Sequence, residues 1–186
     1  MIKKALGSKV LMYPMPIVLL GANVDDKPNY NLIGNVGVMC MSPATIYVSS
    51  WKGHHTTKGI KQNKTYSVNV PAVGQEVESD YCGIVHGYKE DKSEVFRSFY
   101  GDLKTAPMAT ECPVNIECKV IKEFNVGEMN VFVGRITETF IDQELETQGR
   151  PDITDVNPLI YSMGGKYYQI GDFVAKAYSV GKKYKK

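Results

Sequence analysis

The sequence predicts a mainly β protein: an antiparallel barrel, closed or nearly so, with a short helix between strands and a helical insertion in its middle. Three observations carry this. At least six short runs of branched and aromatic residues are each bounded by turn residues. Apolar residues fall at helical spacing only around the middle of the chain. Strands and helices do not alternate and no GxGxxG occurs, which argues against a doubly wound parallel sheet.

The elements follow in order. Ile17–Val24 is apolar and branched, and DDKPN then turns the chain. Tyr30–Met41 is a second run, punctuated by Ser42-Pro43; Thr45–Trp51 is a third, and Thr65–Val70 a fourth, closed by Pro71. Between the last two, Thr56–Asn63 fits a short helix with Thr56 as its N-cap. Gln75–Val85 carries Val77, Tyr81, Ile84 and Val85 at helical spacing. Lys92–Tyr100 does the same with Val95, Phe96 and Phe99, and Ser93 is placed to cap it. After Pro113, VNIECKVIKEF and MNVFVGRITETFI flank NVGE, a hairpin turn. PLIYSMGGKYYQIGDFV predicts a small strand pair around Gly164-Gly165. Without repeats or low-complexity linkers, residues 1–186 are expected to form one domain, with 180–186 as a basic tail.

Composition narrows the function classes. A hydrophobic fraction of 43% with 23% charged residues is enough for an ordinary core. The net charge is only +2 and much of it lies in GKKYKK, so a clustered basic face for nucleic acid is not expected. The opening MIKKALGSKVLMYPMPIVLLGA imitates a secretory leader, but Pro14 and Pro16 break its apolar run. Ile17–Leu20 is too short to span a bilayer, and the segment fits a lead into the first strand, with no membrane association. Cys40, Cys82, Cys112 and Cys118 are irregularly spaced without a CxxC pair, which suits reduced thiols in a cytoplasmic protein. Cys40, between Met39 and Met41, is expected in the core.

SWKGHHTTK (Ser50–Lys58) offers either a metal or an anion site. His54 and His55 are neighbours that point to opposite faces of an extended chain, so one zinc would rarely take both. Cys82 and His86 have ligand spacing on a helix, but the further ligands would come from scattered places, and no metal is expected. No GxSxG elbow or nucleophilic cysteine context occurs, and the pairs Glu76/Glu78 and Asp25/Asp26 sit in polar, solvated runs. An anion site fits better. A threonine hydroxyl beside the free amides of a helix start presents converging donors, Gly53 permits close backbone approach, and Lys52, Lys58 or Lys92 could add charge.

The order of these pieces resembles the flavin reductase-like proteins with an FMN-binding split barrel, within them the flavoredoxin-like group. The landmarks are PMPIVLL, KPN (Lys27–Asn29), MSPATIYVSS, HTTKGI leading to YSVNVP, DYCGIVHG, EDKSEVF, TAPMATECPVNIECKV, VFVGRI and PLIYSMGGKYYQIG. The resemblance covers nearly the whole chain. It implies an antiparallel split β-barrel, non-covalently bound FMN and a homodimer. It places Thr56, with His55, at the phosphate or ribityl chain, and matches Asn29 and Lys92 to two further landmarks of the family. Asn35, Val36, Gly37 and Val38 fall on the segment lining the isoalloxazine, and Ser49, Ser50 and Trp51 end a strand that borders it. Two departures stand out: Asn35 where the pattern has an aromatic, and Met129 and Asn130 where it often has a histidine.

FMN would bring its own redox chemistry, which accounts for an enzyme-sized chain lacking a triad, a metal cluster or a catalytic acid. No catalytic side chain is therefore expected. One expectation is a reductase in which NADH or NADPH reduces the flavin, and electrons pass to free flavin, ferric iron or a protein. The other is an electron carrier with tightly bound FMN and no direct nicotinamide reaction. A barrel serving only as a binding module is the third.

Overall fold

The computed structural model describes residues 1–147 and 149–184. Along the chain run β1 (Met15–Pro16), β2 (Val18–Val24), β3 (Lys27–Ile33), β4 (Val36–Met41), β5 (Ala44–Trp51), α1 (His55–Asn63), β6 (Thr65–Val70) and α2 (Glu76–Ile84). There follow β7 (Ser98–Phe99), β8 (Met108–Ala109), β9 (Val114–Val126), β10 (Met129–Ile141), α3 (Ile153–Val156), β11 (Ile160–Ser162) and β12 (Lys166–Tyr168). Seven strands form one antiparallel sheet in the order β3-β2-β6-β9-β10-β5-β4. Strands β1, β11 and β12 form a small second sheet, and β7 pairs with β8.

The Tyr30–Met41 run is two strands, broken at Gly34-Asn35. Strands β3 and β4 lie at opposite edges of the large sheet, yet only those two residues join them. Three Cα steps span at most roughly 11 Å. The sheet must therefore curl until its edges meet, and the result is a barrel with a seam at Gly34-Asn35. The Ser49 amide donates to the Asn35 carbonyl at 2.8 Å, continuing the β4–β5 ladder up to the seam.

Strand β2 is buried along its whole length, because both its faces are covered. Val18, Leu20 and Ala22 face the barrel interior with Val48, Tyr66 and Phe132. Leu19 faces outward into a second cluster with Tyr30, Cys82, Phe96 and Cys112. The β2–β3 turn is only Asp25-Asp26, both at positive φ, so Lys27–Asn29 of the expected turn are strand. Asp tolerates that backbone region better than most residues.

Three other expectations are corrected. Helix α1 begins at His55, and its N-cap is His54 in extended conformation without a side-chain cap bond. Thr56 therefore lies inside the first turn and is not the cap. Lys92–Tyr100 is not helical: the Asp91 carboxylate accepts from the Ser93 amide at 2.9 Å, a single turn follows, and Ser98–Phe99 pair with Met108–Ala109. The apolar spacing there serves burial in two places instead, Phe96 beneath α2 and Phe99 edge-on to Phe140. Cys40 is exposed, because β4 is a sheet edge with no strand beyond it. Cys82, Cys112 and Cys118 are buried, free thiols, and burial raises their pKa values, to about 11 for Cys82 and about 12 for Cys118. Of the expected tail, Lys185 and Lys186 lie outside the described residues.

Helix α1 lies flush on β2 because Gly59 has no side chain. A Cβ there would stand 2.3 Å from the Asn23 carbonyl oxygen. Gly59→Ala must push the helix off the strand, with an expected loss of about 1–3 kcal/mol, read as a lower urea midpoint. An unchanged midpoint would mean that α1 can shift freely.

Candidate functional site

The link from β5 to α1 is a tight turn. His54 N–H donates to the Trp51 carbonyl at 3.0 Å, and Thr57 N–H to the His54 carbonyl at 3.1 Å. Gly53 is needed here, but for a different neighbour than the sequence suggested. The Trp51 ring lies against it, where a Cβ would come within 2.0–2.6 Å of three ring atoms. The same ring meets His54 edge-on, with centroids 5.6 Å apart.

His54 is fixed by a buried polar network. The Asn31 amide nitrogen is 3.0 Å from Nδ1, and Ser50 Oγ is 3.1 Å from it. Thr57 Oγ1 lies within bonding distance of Ser50 Oγ (2.8 Å) and the Trp51 carbonyl (2.9 Å). An amide nitrogen can only donate, so Nδ1 accepts and the neutral ring carries its proton on Nε2. Burial lowers the His54 pKa, and the positive charges available to His86 and Lys92 lower it further. The His55 pKa is lowered too, chiefly by burial and then by Lys58.

Thr56 Oγ1 accepts from Asn29 Nδ2 at 2.6 Å, which leaves its own hydrogen free to donate. Lys92 is 3% exposed and donates to the Cys82 and Val85 carbonyls at 2.9 and 3.0 Å. It thereby caps the C-terminus of α2, where a cation is favourable. Two of its three N–H groups are used and one remains. Burial lowers the Lys92 pKa.

These side chains share a notch of about 10 Å³ lined by Asn31, His54, His55, Thr56, Gly83, Val85, His86, Gly87 and Lys92. An adjoining cavity of about 280 Å³ continues past Asn29 and His55 to Asp25, Lys27 and Asp91. Its exposed pairs Asp25–Lys58 (2.6 Å) and Lys27–Asp91 (3.0 Å) neutralise one another. Lys58 is thus engaged away from the notch, and Lys52 reaches Glu128 at 3.5 Å; neither lines it. Three donors of its lining are uncommitted: the Thr56 hydroxyl hydrogen, the His54 Nε2–H and the third Lys92 N–H; Asn31 Oδ1 and the His55 and His86 rings line it as well. The His55 and Thr56 amides at the start of α1 have no acceptors within the helix and add to these donors, while the Thr57 amide is taken by the His54 carbonyl. The notch itself has room for about one water, so a phosphate meeting these donors would sit in the adjoining cavity.

The remaining residues form a separate group at the seam. Asn35 is exposed and Val36 half-buried on the core, while Gly37 lies under Tyr47, where a Cβ would come 2.7 Å from the ring. Val38 is 67% exposed. The Ser49 amide is already bonded to Asn35 and has nothing left for a ligand; the open amides at this corner belong to β4, a sheet edge. Ser50 turns inward to His54, and Asn130 opposite it is buried with its Oδ1 unpartnered. Asn35 borders a groove of about 510 Å³, and Gly83 lines both this groove and the notch. The two groups therefore sit at the two ends of one surface path.

Helix α2 ends at Ile84, so Cys82 and His86 do not share a helical face, and His86 stacks on Tyr88. Among the described residues no three His, Cys, Asp or Glu side chains are gathered as for a metal ion, and no helix is long and apolar enough to cross a membrane. The sequence alone did not single out Asn31 or Thr57, and it ranked His55 above His54. The adjacent histidines were the visible signal, but the Asn31 contact that sets them apart spans 23 positions.

Fold and site together define a split β-barrel with a polar notch at the start of α1. Residues 10–171 match the model of the flavin reductase like domain, and the chain belongs to the flavin reductase-like family, in its flavoredoxin group. It is 40% identical to flavoredoxin from Methanosarcina acetivorans, with 98% of each chain covered and a TM-score of 0.95. Flavoredoxin of Desulfovibrio vulgaris (Miyazaki F) is 33% identical over 97% of this chain and 100% of its own, with a TM-score of 0.89. An FMN-binding protein from Thermus thermophilus, 20% identical over 95% and 98%, shares the fold with a TM-score of 0.81.

A histidine held neutral makes folding sensitive to acid. Its folded pKa is lowered, so the unfolded chain binds more protons as pH falls through about 6.5, and stability falls with it. Urea midpoints should decline as pH falls through that value, and His54→Gln should flatten the decline. An unchanged slope in the variant would locate the sensitivity elsewhere.

Proposed function

We propose that this chain is an FMN-binding oxidoreductase. It takes electrons from NADH or NADPH and delivers them, through non-covalently bound FMN, to a flavin, metal or protein acceptor. The observation that carries this reading is the notch where the Thr56 hydroxyl hydrogen, the His54 Nε2–H and the third Lys92 N–H are uncommitted, adjoining through Gly83 the groove at the seam. The Thr56 hydroxyl, the His55 and Thr56 amides and Lys92 would hold the phosphate, with Asn29 fixing that hydroxyl. His54 joins them as a neutral donor, and His55 lines the same wall. Asn35, Val36, Gly37 and Val38 would line the ring, with Ser49, Ser50 and Trp51 supporting that wall. FMN supplies the redox chemistry when bound, so the chain needs only to bind it, orient it and tune its surroundings.

The working unit is a homodimer. Val38 (67% exposed) and Met41 (83%) lie on the open edge strand β4 with Met39, and Trp51 is exposed nearby. Such an apolar edge favours a protein partner over water. Free thiols suit the reducing cytoplasm.

The two flavoredoxins among the neighbours favour a second reading, an electron carrier that does not react with nicotinamide directly. The anaerobic visible spectrum separates the two. Bleaching of the yellow protein by NADH or NADPH within turnover time supports the reductase; bleaching only by dithionite or a partner reductase supports the carrier. A protein that gains no band near about 450 nm with added FMN overturns both.

Thr56→Val should weaken FMN binding by about 1–3 kcal/mol in a fluorescence titration, and unchanged affinity would remove Thr56 from the site. Lys92→Ala should weaken binding more at low salt than at high salt. It should also lower the urea midpoint, because the Cys82 carbonyl of α2 and that of its C-cap Val85 lose their donor. A salt-independent loss of affinity would leave Lys92 only its packing role.

A further inference from the structure

The groove at the far end of the path has a chemistry opposite to that of the notch. Its walls are mostly apolar or aromatic, with Ile17, Leu32, Ile84 on α2, and Tyr161, Met163 and Tyr167 on the β11–β12 hairpin, and Asn35 borders it. Among the described residues lining it, Asp80 carries the only charge, and no cation faces it. Asp80 is held in place, since the Tyr167 hydroxyl donates to its Oδ1 at 2.5 Å. No protein donor meets Oδ2 among the described residues. Burial and the Asp80 bond both raise the Tyr167 pKa, so the phenol keeps its proton. Tyr161 and Tyr167 stand 5.9 Å apart and present ring surface beside that charge.

We infer that this groove is a binding site for a planar, positively charged ring, with Asp80 as its counter-ion and Tyr161 and Tyr167 as its aromatic walls. Charge complementarity and the cation-attracting faces of tyrosine select such a ligand over an anionic or aliphatic one. A pyridinium is the simplest example. A dihydronicotinamide becomes one when it gives a hydride, two electrons with one proton, to a flavin; Asp80 would favour that product ring. The inference rests on the FMN reading only for this last role, and the site itself belongs to the chain.

The test titrates FMN-loaded protein with the 1-methylnicotinamide cation and with neutral nicotinamide, followed by ligand-observed NMR. The cation should bind more tightly, and Asp80→Asn should weaken it about fivefold, the size of a partly exposed ion pair. Neutral nicotinamide and FMN affinity should be unchanged in that variant. Tyr167→Phe, which removes the hydroxyl and keeps the ring, should weaken the cation less. Equal loss for both ligands in Asp80→Asn overturns the charge-based site. No cation binding to protein that holds FMN overturns it as well, and leaves the groove to a second copy of the chain. Binding to FMN-free protein that FMN abolishes would give the groove to the flavin ring. If FMN fails to bind and the cation still does, the FMN reading falls and this site stands.

Discussion

The two-residue link Gly34-Asn35 is the constraint on which the rest of the structure depends. It ties opposite edges of a seven-stranded sheet to one another, and a chain that short cannot do so unless the sheet closes. Closure gives the interior its paired faces, so that β2 is covered on both sides and its seven residues are all buried. It also fixes a seam where regular pairing stops. Asn35 sits there by necessity, and with it the groove walled by the second sheet and α2.

Around that barrel the site is built from groups that serve stability and binding together. Lys92 closes the end of α2 through two carbonyls and keeps one N–H in reserve. Asn29 and Asn31 reach from β3 to Thr56 and His54, so the barrel wall orients the first turn of α1. Gly59 lets the helix press on β2 behind it. None of these side chains is free to drift, which is the condition for a preorganised binding surface. Charge is then divided along the surface, with donors at the notch and a carboxylate at the groove.

Much of the fold was legible because local rules governed it. Three of the first four strand runs, the helix after β5, α2 and the hairpins at Gly127 and Gly165 follow from residue period and turn chemistry, whereas Tyr30–Met41 breaks into β3 and β4. Lys92–Tyr100 failed for a reason that is equally physical. Val95, Phe96 and Phe99 satisfy a helical period, but Asp91 takes the Ser93 amide and β8 takes Ser98–Phe99 into pairing, so tertiary burial overrides the pattern. Cys40 failed because an apolar run says nothing about whether a strand lies beyond it. Of the expected site residues, the structure gathers Thr56, His55 and Lys92 at the notch and sets Asn29 in the adjoining cavity.

The sequence by itself determined the β character, the single short helix after β5, the donor-rich stretch at its start and the family to which the order of landmarks pointed. These rest on neighbours within a few residues, where periodicity and capping act. Only the tertiary structure decided which histidine is held by Asn31, that Lys92 spends two bonds on α2, and that Asp80 and Tyr167 meet across 87 positions. Those choices depend on where a closed sheet brings distant strands, and chain closure is a property of the whole barrel that no local window contains.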